Sequence, residues 1–148
     1  MDIRHAESSD HARVAAVIDD WWGGRPMRDM LPRLFFTHFR DTSFVAEDGD
    51  GGLAGFLCGF LSQTYPGQAY VHFVGVAPEQ RRAGLARDLY ERFFTAARAA
   101  GCTSVHCVTS PRNTGSLAFH QRIGFEIEAE VEGYDGAGES RVLLARTL

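Results

Sequence analysis

No apolar run in the sequence approaches the ~18 residues that a membrane-spanning helix needs, so no membrane partner is expected. Basic runs are also missing and the formal net charge is −4, which argues against nucleic acid as a standing partner. Cysteine is scarce. Three residues, an odd count, fit a reducing compartment better than a disulfide framework. Cys58 and Cys107 lie in apolar strand-like runs, where cysteine behaves as a small hydrophobe. No His-x-x-x-His or Cys-x-x-Cys pairing occurs, so no metal site is expected. The opening "MDIRHAESSD" is polar and mixed in charge, unlike a secretory or transit segment, and together with the cysteines it points to a cytoplasmic protein. Neither repeats nor low-complexity tracts nor a Pro/Gly/Ser linker divide the chain, so one domain over residues 1–148 is expected.

What the sequence does contain suits a globular fold. Hydrophobic residues make up 45% and aromatics 11%, and at this length about 70% of the unfolded surface can be buried. Residues 3–6 read as an edge strand. "SSDHARVAAVIDDWW" has Ser/Asp caps followed by Val14, Val17, Ile18 and Trp21 at helix spacing. "DMLPRLFFTHF" reads as a second helix with Pro32 in its first turn. "TSFVAE" and "LAGFLCGFLSQT" flank the turn-rich "DGDGG" as a hairpin. "AYVHFVGVA" is a strand, and the segment ending at Gly101 a long helix with Leu85, Leu89 and Phe93 on one face. Then follow a strand "SVHCVT", a helix "TGSLAFHQRI" and a strand "FEIEAEV". The loop "GYDGAGES" and a last strand "RVLLARTL" complete the chain. A meander followed by alternating helices and strands makes a mixed α/β (α+β) sheet, not a doubly wound one.

Chemistry concentrates in "FVGVAPEQRRAGLA". A strand ends at Val76, and a tight turn with Gly84 feeds directly into a helix. The unpaired N–H groups and partial positive charge of a helix N-terminus make an anion cradle. Arg81, Arg82 and Arg87 add charge suited to phosphates; the alternative is a solvated basic cap. No Gly-Lys-Ser/Thr follows, and no Gly-x-Gly-x-x-Gly occurs, which excludes a phosphate-loop NTPase and a Rossmann turn.

"VAPEQRRAGLA" resembles the pyrophosphate-binding motif Arg/Gln-x-x-Gly-x-Gly/Ala of the GNAT superfamily of N-acetyltransferases, with Arg81, Gly84 and Ala86 in its places. "NTGSLAFHQRIGF" resembles the family's Asn-led helix ending in Gly-Phe, one helix and one strand downstream. The order of elements from residue 3 to 148 is similar to the whole GNAT fold. That resemblance implies a mostly antiparallel mixed sheet of six or seven strands flanked by about four helices. The sheet splays between its fourth and fifth strands to form a cleft. It also implies acetyl-CoA as donor and an amine as acceptor. Backbone groups of Val74, Gly75 and Val76 would pair with the pantetheine arm, and Val74 would steady the oxyanion. The turn of Arg81, Arg82, Ala83, Gly84, Leu85, Ala86 and Arg87 would hold the pyrophosphate, and Asn113 would contact the cofactor.

The resemblance also raises two proton-transfer questions. An acceptor like lysine is protonated at neutral pH, with a pKa near ~10.4, so a base is required. Tyr70 and His72 lie two apart on one strand and share a face with Val74 and Val76. His72 stands by motif offset where some members place a histidine base; the other reading is a hydrogen-bonded core histidine on a half-buried strand. Glu47 and Asp48 are fallback bases or solvated turn residues, and His106 reads as structural. The departing thiolate needs a proton as well, which most members supply from a tyrosine where this chain has His120. The last turn of a helix favours an imidazolium and burial opposes it. His120 is therefore a weakly assisted acid or only a hydrogen-bond donor to sulfur.

The acceptor site is the least legible part. Trp22 lines the acceptor cleft or a subunit contact, Trp21 reads as core, and Tyr134 is the large side chain of a lid-like loop. Asp19 and Asp20 either attract a cationic amine or are simply solvated. A small-molecule amine acceptor is favoured. The alternatives are a protein N-terminal or lysine amine, or a non-catalytic CoA-binding module. Homodimers are common in the family, though nothing in this sequence fixes one.

Overall fold

A computed structural model describes residues 1–148. Its elements are β1 (Asp2–His5), α1 (Asp10–Trp21), α2 (Leu34–Thr37), β2 (Phe44–Glu47), β3 (Leu53–Leu61) and β4 (Gln68–Val76). After these come α3 (Leu85–Ala99), β5 (Ser104–Thr109), α4 (Thr114–Arg122), β6 (Glu126–Val131) and β7 (Arg141–Thr147). The strands form one open mixed sheet in the order β1-β2-β3-β4-β5-β7-β6. The parallel ladder of β4 with β5 pairs Gln68, Ala69 and Tyr70 with Ser104, Val105 and His106. It is three pairs long although β4 continues to Val76. No helix is long and apolar enough to cross a membrane.

Packing groups the chain into two compact units, Met1–Phe60 with Val71–Ala96, and Leu61–Tyr70 with Ala97–Leu148. In the first, α1 buries Val14, Ile18 and Trp21, the apolar stripe its spacing predicts. These meet Phe35, Phe36, Val45 and Phe56 in one hydrophobic cluster. The face of α3 with Leu85, Leu89 and Phe93 is buried as well. β2 and β3 form the antiparallel hairpin, and Asp48 Oδ1 closes its turn by accepting the N–H groups of Asp50 and Gly52 at 2.9 Å.

The second helix of the sequence reading is corrected. A 3-10 turn at Arg28–Met30 and a single turn at Leu34–Thr37 replace it. Pro32 separates the two. Its ring pushes the preceding Leu31 to φ −120° and ψ 86°, outside the helical region, and it has no N–H with which to continue a helix.

In the second unit β7 pairs antiparallel with β5 and with β6, and Val105, Cys107, Phe125, Val142 and Leu144 are buried. α4 opens on Asn113, whose Oδ1 accepts the Ser116 N–H at 3.1 Å. It stops at Gly124, left-handed at φ 97°, and the Phe125 N–H turns back to the His120 carbonyl at 2.9 Å. A Cβ on Gly124 would lie 2.9 Å from Arg146 Nε, so any other residue there meets both backbone strain and a clash.

Candidate active site

Along the second half of β4 the side chains alternate. Val71 and Gly75 are buried, Val74 and Val76 are half-buried, and His72 is exposed. Exposure removes the core-histidine reading of His72. Its Nε2–H donates to the Met30 carbonyl at 2.7 Å, and its ring stacks on Phe35 with centroids 4.7 Å apart and planes 8° from parallel. A carbonyl only accepts, so the neutral ring carries its proton on Nε2 and its lone pair on Nδ1. The result is an oriented imidazole at a solvent-accessible position.

Of the two readings of Glu47 and Asp48, the structure favours the one without a base: Asp48 is a turn residue and Glu47 an ion-pair partner. Glu47 accepts from Arg4 Nε at 3.0 Å and from an Arg13 guanidinium N–H at 2.9 Å. Those bonds hold its carboxyl below the usual range, which weakens it as a proton acceptor. Asp48 is committed to its own turn.

Gly75 has a packing reason to be glycine. A Cβ there would lie 2.6 Å from Phe56 Cε1, 2.7 Å from Trp22 Cη2 and 2.8 Å from Trp22 Cζ3. Trp22 thus rests on the β4 backbone, half-buried, with its ring edge-on to Phe73 at 4.9 Å. Gly75→Ala is expected to destabilise by about 1–3 kcal/mol through overpacking, which outweighs the ≤ ~1 kcal/mol that Ala gains over Gly in a strand. Thermal unfolding in a Trp22→Leu background checks the cause: the penalty should shrink when the indole is gone.

The turn from Arg81 to Gly84 places two residues in the left-handed region, Arg82 at φ 70° and Gly84 at φ 81°. A non-glycine residue there is uncommon and carries strain. Alternation of this kind turns backbone N–H groups to one side, as in anion-binding nests. Leu85 is buried, Ala86 is half-buried, and Arg82, Ala83 and Arg87 are exposed. The Arg81 guanidinium donates through Nη2 to the Trp21 carbonyl and so ties the turn to the end of α1.

In the second unit His120 is 6% exposed. Its Nδ1–H donates to the Ser116 carbonyl at 2.7 Å, and its ring meets Phe119 and Phe125 edge-on. Burial lowers its pKa, and the bond to Ser116 opposes that only in part. This revises the expected donation to sulfur. A neutral ring with its proton on Nδ1 has an acceptor at Nε2, so donation from Nε2 requires the imidazolium that burial disfavours. Tyr70 is half-buried. Burial pushes its hydroxyl well up, and Tyr134, Cys107 and Asp135 add to the effect, so Tyr70 stays protonated. Tyr134 is exposed on a loop pinned by Arg141 Nε to Asp135 at 3.0 Å. His106 Nε2 lies 2.9 Å from Ser104 Oγ, a contact that suits its structural reading.

The Met30 carbonyl, Phe35 and the bonds from the Met27 and Arg28 N–H groups to the Asp19 carboxylate are not legible in the sequence. Asp19 did carry one signal: an acid in the last turn of a helix opposes the helix dipole, so it needs another partner.

A family model described as the acetyltransferase (GNAT) family matches residues 7–125. The L-2,4-diaminobutyric acid acetyltransferase of Halomonas elongata is 28% identical over 115 residues, 71% of this chain and 60% of that protein. An N-terminal acetyltransferase complex ARD1 subunit homolog of Dictyostelium discoideum is 30% identical over 107 residues, 70% of this chain and 52% of that protein. The chain thus spans 52–60% of the length of these relatives. A solved diaminobutyrate acetyltransferase from Paenibacillus lautus, in complex with L-2,4-diaminobutyric acid and coenzyme A, shares the fold. Its TM-score is 0.75 at 21% identity, over 98% of this chain and 93% of that one. With most of its residues inside the family match, the chain belongs to the acetyltransferase (GNAT) family.

Proposed function

We propose that residues 1–148 act as a single N-acetyltransferase domain that moves an acetyl group from acetyl-CoA to the primary amine of a small molecule. The observation that carries this reading is the pairing, within one packed unit, of an oriented, exposed His72 with a strained turn opening onto α3. The turn suits a diphosphate: backbone N–H groups from Arg82 to Leu85 would hold it, with Arg82 and Arg87 supplying charge. Backbone groups of Val74, Gly75 and Val76 would pair with the pantetheine arm, as a peptide adds to a strand edge. The thioester supplies the activated acetyl group.

His72 Nδ1 takes the proton of the acceptor ammonium. The freed amine then attacks the thioester carbonyl, the C–N bond forms, the C–S bond breaks, and the proton given up by the new amide nitrogen goes to the departing thiolate. A backbone N–H of Val74 would steady the oxyanion. The motif carries Asn113 and His120 into this reading as cofactor contacts, and Tyr70, kept protonated, serves as a hydrogen-bond donor. Trp22 and Tyr134 remain the proposed acceptor-side residues.

The names of the diaminobutyrate acetyltransferases support a small-molecule amine. A second reading, transfer to a protein N-terminus, is favoured by the Dictyostelium relative and by exposed Met30, whose carbonyl accepts from His72. Thiol release from acetyl-CoA, measured across diamino acids, amino acids, amine antibiotics and a peptide array, separates the two. Small amines are expected to lead. Peptides leading would select the second reading, and no release with any amine would leave a CoA-binding module.

A further inference from the structure

The base reading of His72 depends on where the Met30 carbonyl points, and the structure shows what holds it. Asp19 lies in the last turn of α1, and its Oδ1 accepts the N–H groups of Met27 at 2.8 Å and Arg28 at 3.0 Å. The backbone carbonyl of Asp19 accepts the Gly24 N–H at 2.8 Å. The carboxylate therefore anchors the start of the Arg28–Met30 turn, whose last carbonyl receives the His72 Nε2–H. Between α1 and this anchor the chain passes Gly23 and Gly24, both exposed and both left-handed. Backbone bonds from Gly23 N–H to Asp20, from Gly24 N–H to Asp19 and from Met27 N–H to Arg25 fold this segment, and the carboxylate adds a charged acceptor that ties the end of α1 to the start of the Arg28–Met30 turn. On the far side, His11 Nε2–H donates to the carbonyl of buried Leu31 at 3.0 Å.

We infer that Asp19 is a positioning residue for His72, acting through Met27, Arg28 and the Met30 carbonyl to keep the His72 proton on Nε2 and the lone pair on Nδ1. This rests on the reading of His72 as the base, and it gives Asp19 a task other than attracting the acceptor amine. Loss of the carboxylate frees the turn, weakens the bond to the ring and lets the other tautomer form.

The test is side-chain ¹⁵N NMR of histidine-labelled protein without ligand, at mildly alkaline pH, with His72→Ala used to assign the His72 signals. The parent protein is expected to show the Nε2–H tautomer at His72. Asp19→Ala should shift both nitrogen signals toward a tautomer mixture, while Asp19→Asn, which keeps an Oδ1 acceptor, should stay close to the parent. If Asp19→Ala fails to fold, Asp19→Glu moves the same carboxylate by one methylene and must also disturb His72. An unchanged His72 spectrum in the folded Ala or Glu variant overturns the inference, because the Leu31 side would then suffice to hold the turn. Kinetics with the best amine of the screen separate this link from the base reading. Turnover of Asp19→Ala should fall by roughly tenfold to a hundredfold with the Michaelis constant for acetyl-CoA unchanged. A shifted tautomer with parental turnover would keep the link and overturn the base reading.

Discussion

His72→Ala is expected to lower turnover by roughly 10²- to 10⁴-fold, the usual contribution of a positioned general base, without raising the Michaelis constant for acetyl-CoA. The remaining rate should climb with pH toward the acceptor's own pKa, near ~10.4 for a lysine-like amine, because only the fraction already deprotonated can attack. With His72 as the base the parent should draw on protonated amine as well, and its profile should level off at lower pH. The ring is exposed and its chief contacts are Phe35 and the Met30 carbonyl, so the variant should stay folded, which circular dichroism checks. Added imidazole should restore part of the lost rate. A pH profile parallel to the parent's would return His72 to a structural role and leave the reaction without its base.

The contrast between what was legible and what was not follows from the physics of each feature. Strand β5 matches "SVHCVT" residue for residue because period-two patterning survives any packing. The turn before α3 was legible because a glycine and an arginine pair at a strand-to-helix junction is a backbone requirement written in side chains. The orientation of His72 was not. Its partner is a carbonyl 42 residues away, and sequence does not show where carbonyls point. Nor was the bond from Arg81 Nη2 to the Trp21 carbonyl, since a helix end leaves carbonyls open to any nearby guanidinium. Pro32, by contrast, misled. Its own tolerance for a first helical turn was weighed, but its effect on Leu31 ended the helix.

Asp10→Ala should have the largest effect on stability. Asp10 is 1% exposed and accepts from Arg4 Nη1 and Nη2 at 2.8 and 3.0 Å, from Arg13 at 3.2 Å and from the Glu7 N–H at 2.8 Å. Removing it strands a backbone donor and leaves two arginines sharing Glu47. Breaking a buried ion pair from one side typically costs about 3–5 kcal/mol, a large part of the roughly 5–15 kcal/mol a domain has. The pH dependence carries the same signature. Burial alone would raise the Asp10 pKa, but the bonds from Arg4, Glu7 and Arg13 outweigh it and lower it; Arg4 and Arg13 lower Glu47 likewise. Both groups are therefore more acidic folded than unfolded. Their stabilisation is fully present above the unfolded values, near ~4, and is lost as pH falls through the folded ones. Denaturant melts of the parent should weaken steeply below about pH 4, and those of Asp10→Ala much less; equal slopes would refute the network's part in acid sensitivity. The network also bears on the proposed site, because it clamps β1 and β2 to the first turn of α1. The last turn of that helix carries Asp19, which anchors the turn orienting His72, and Trp21, whose carbonyl holds Arg81. Trp22, which follows directly, rests on Gly75. A loosened first turn should thus reach the site along a single helix, and Asp10→Asn, which keeps the Glu7 bond but not the charge, should lose stability and turnover together.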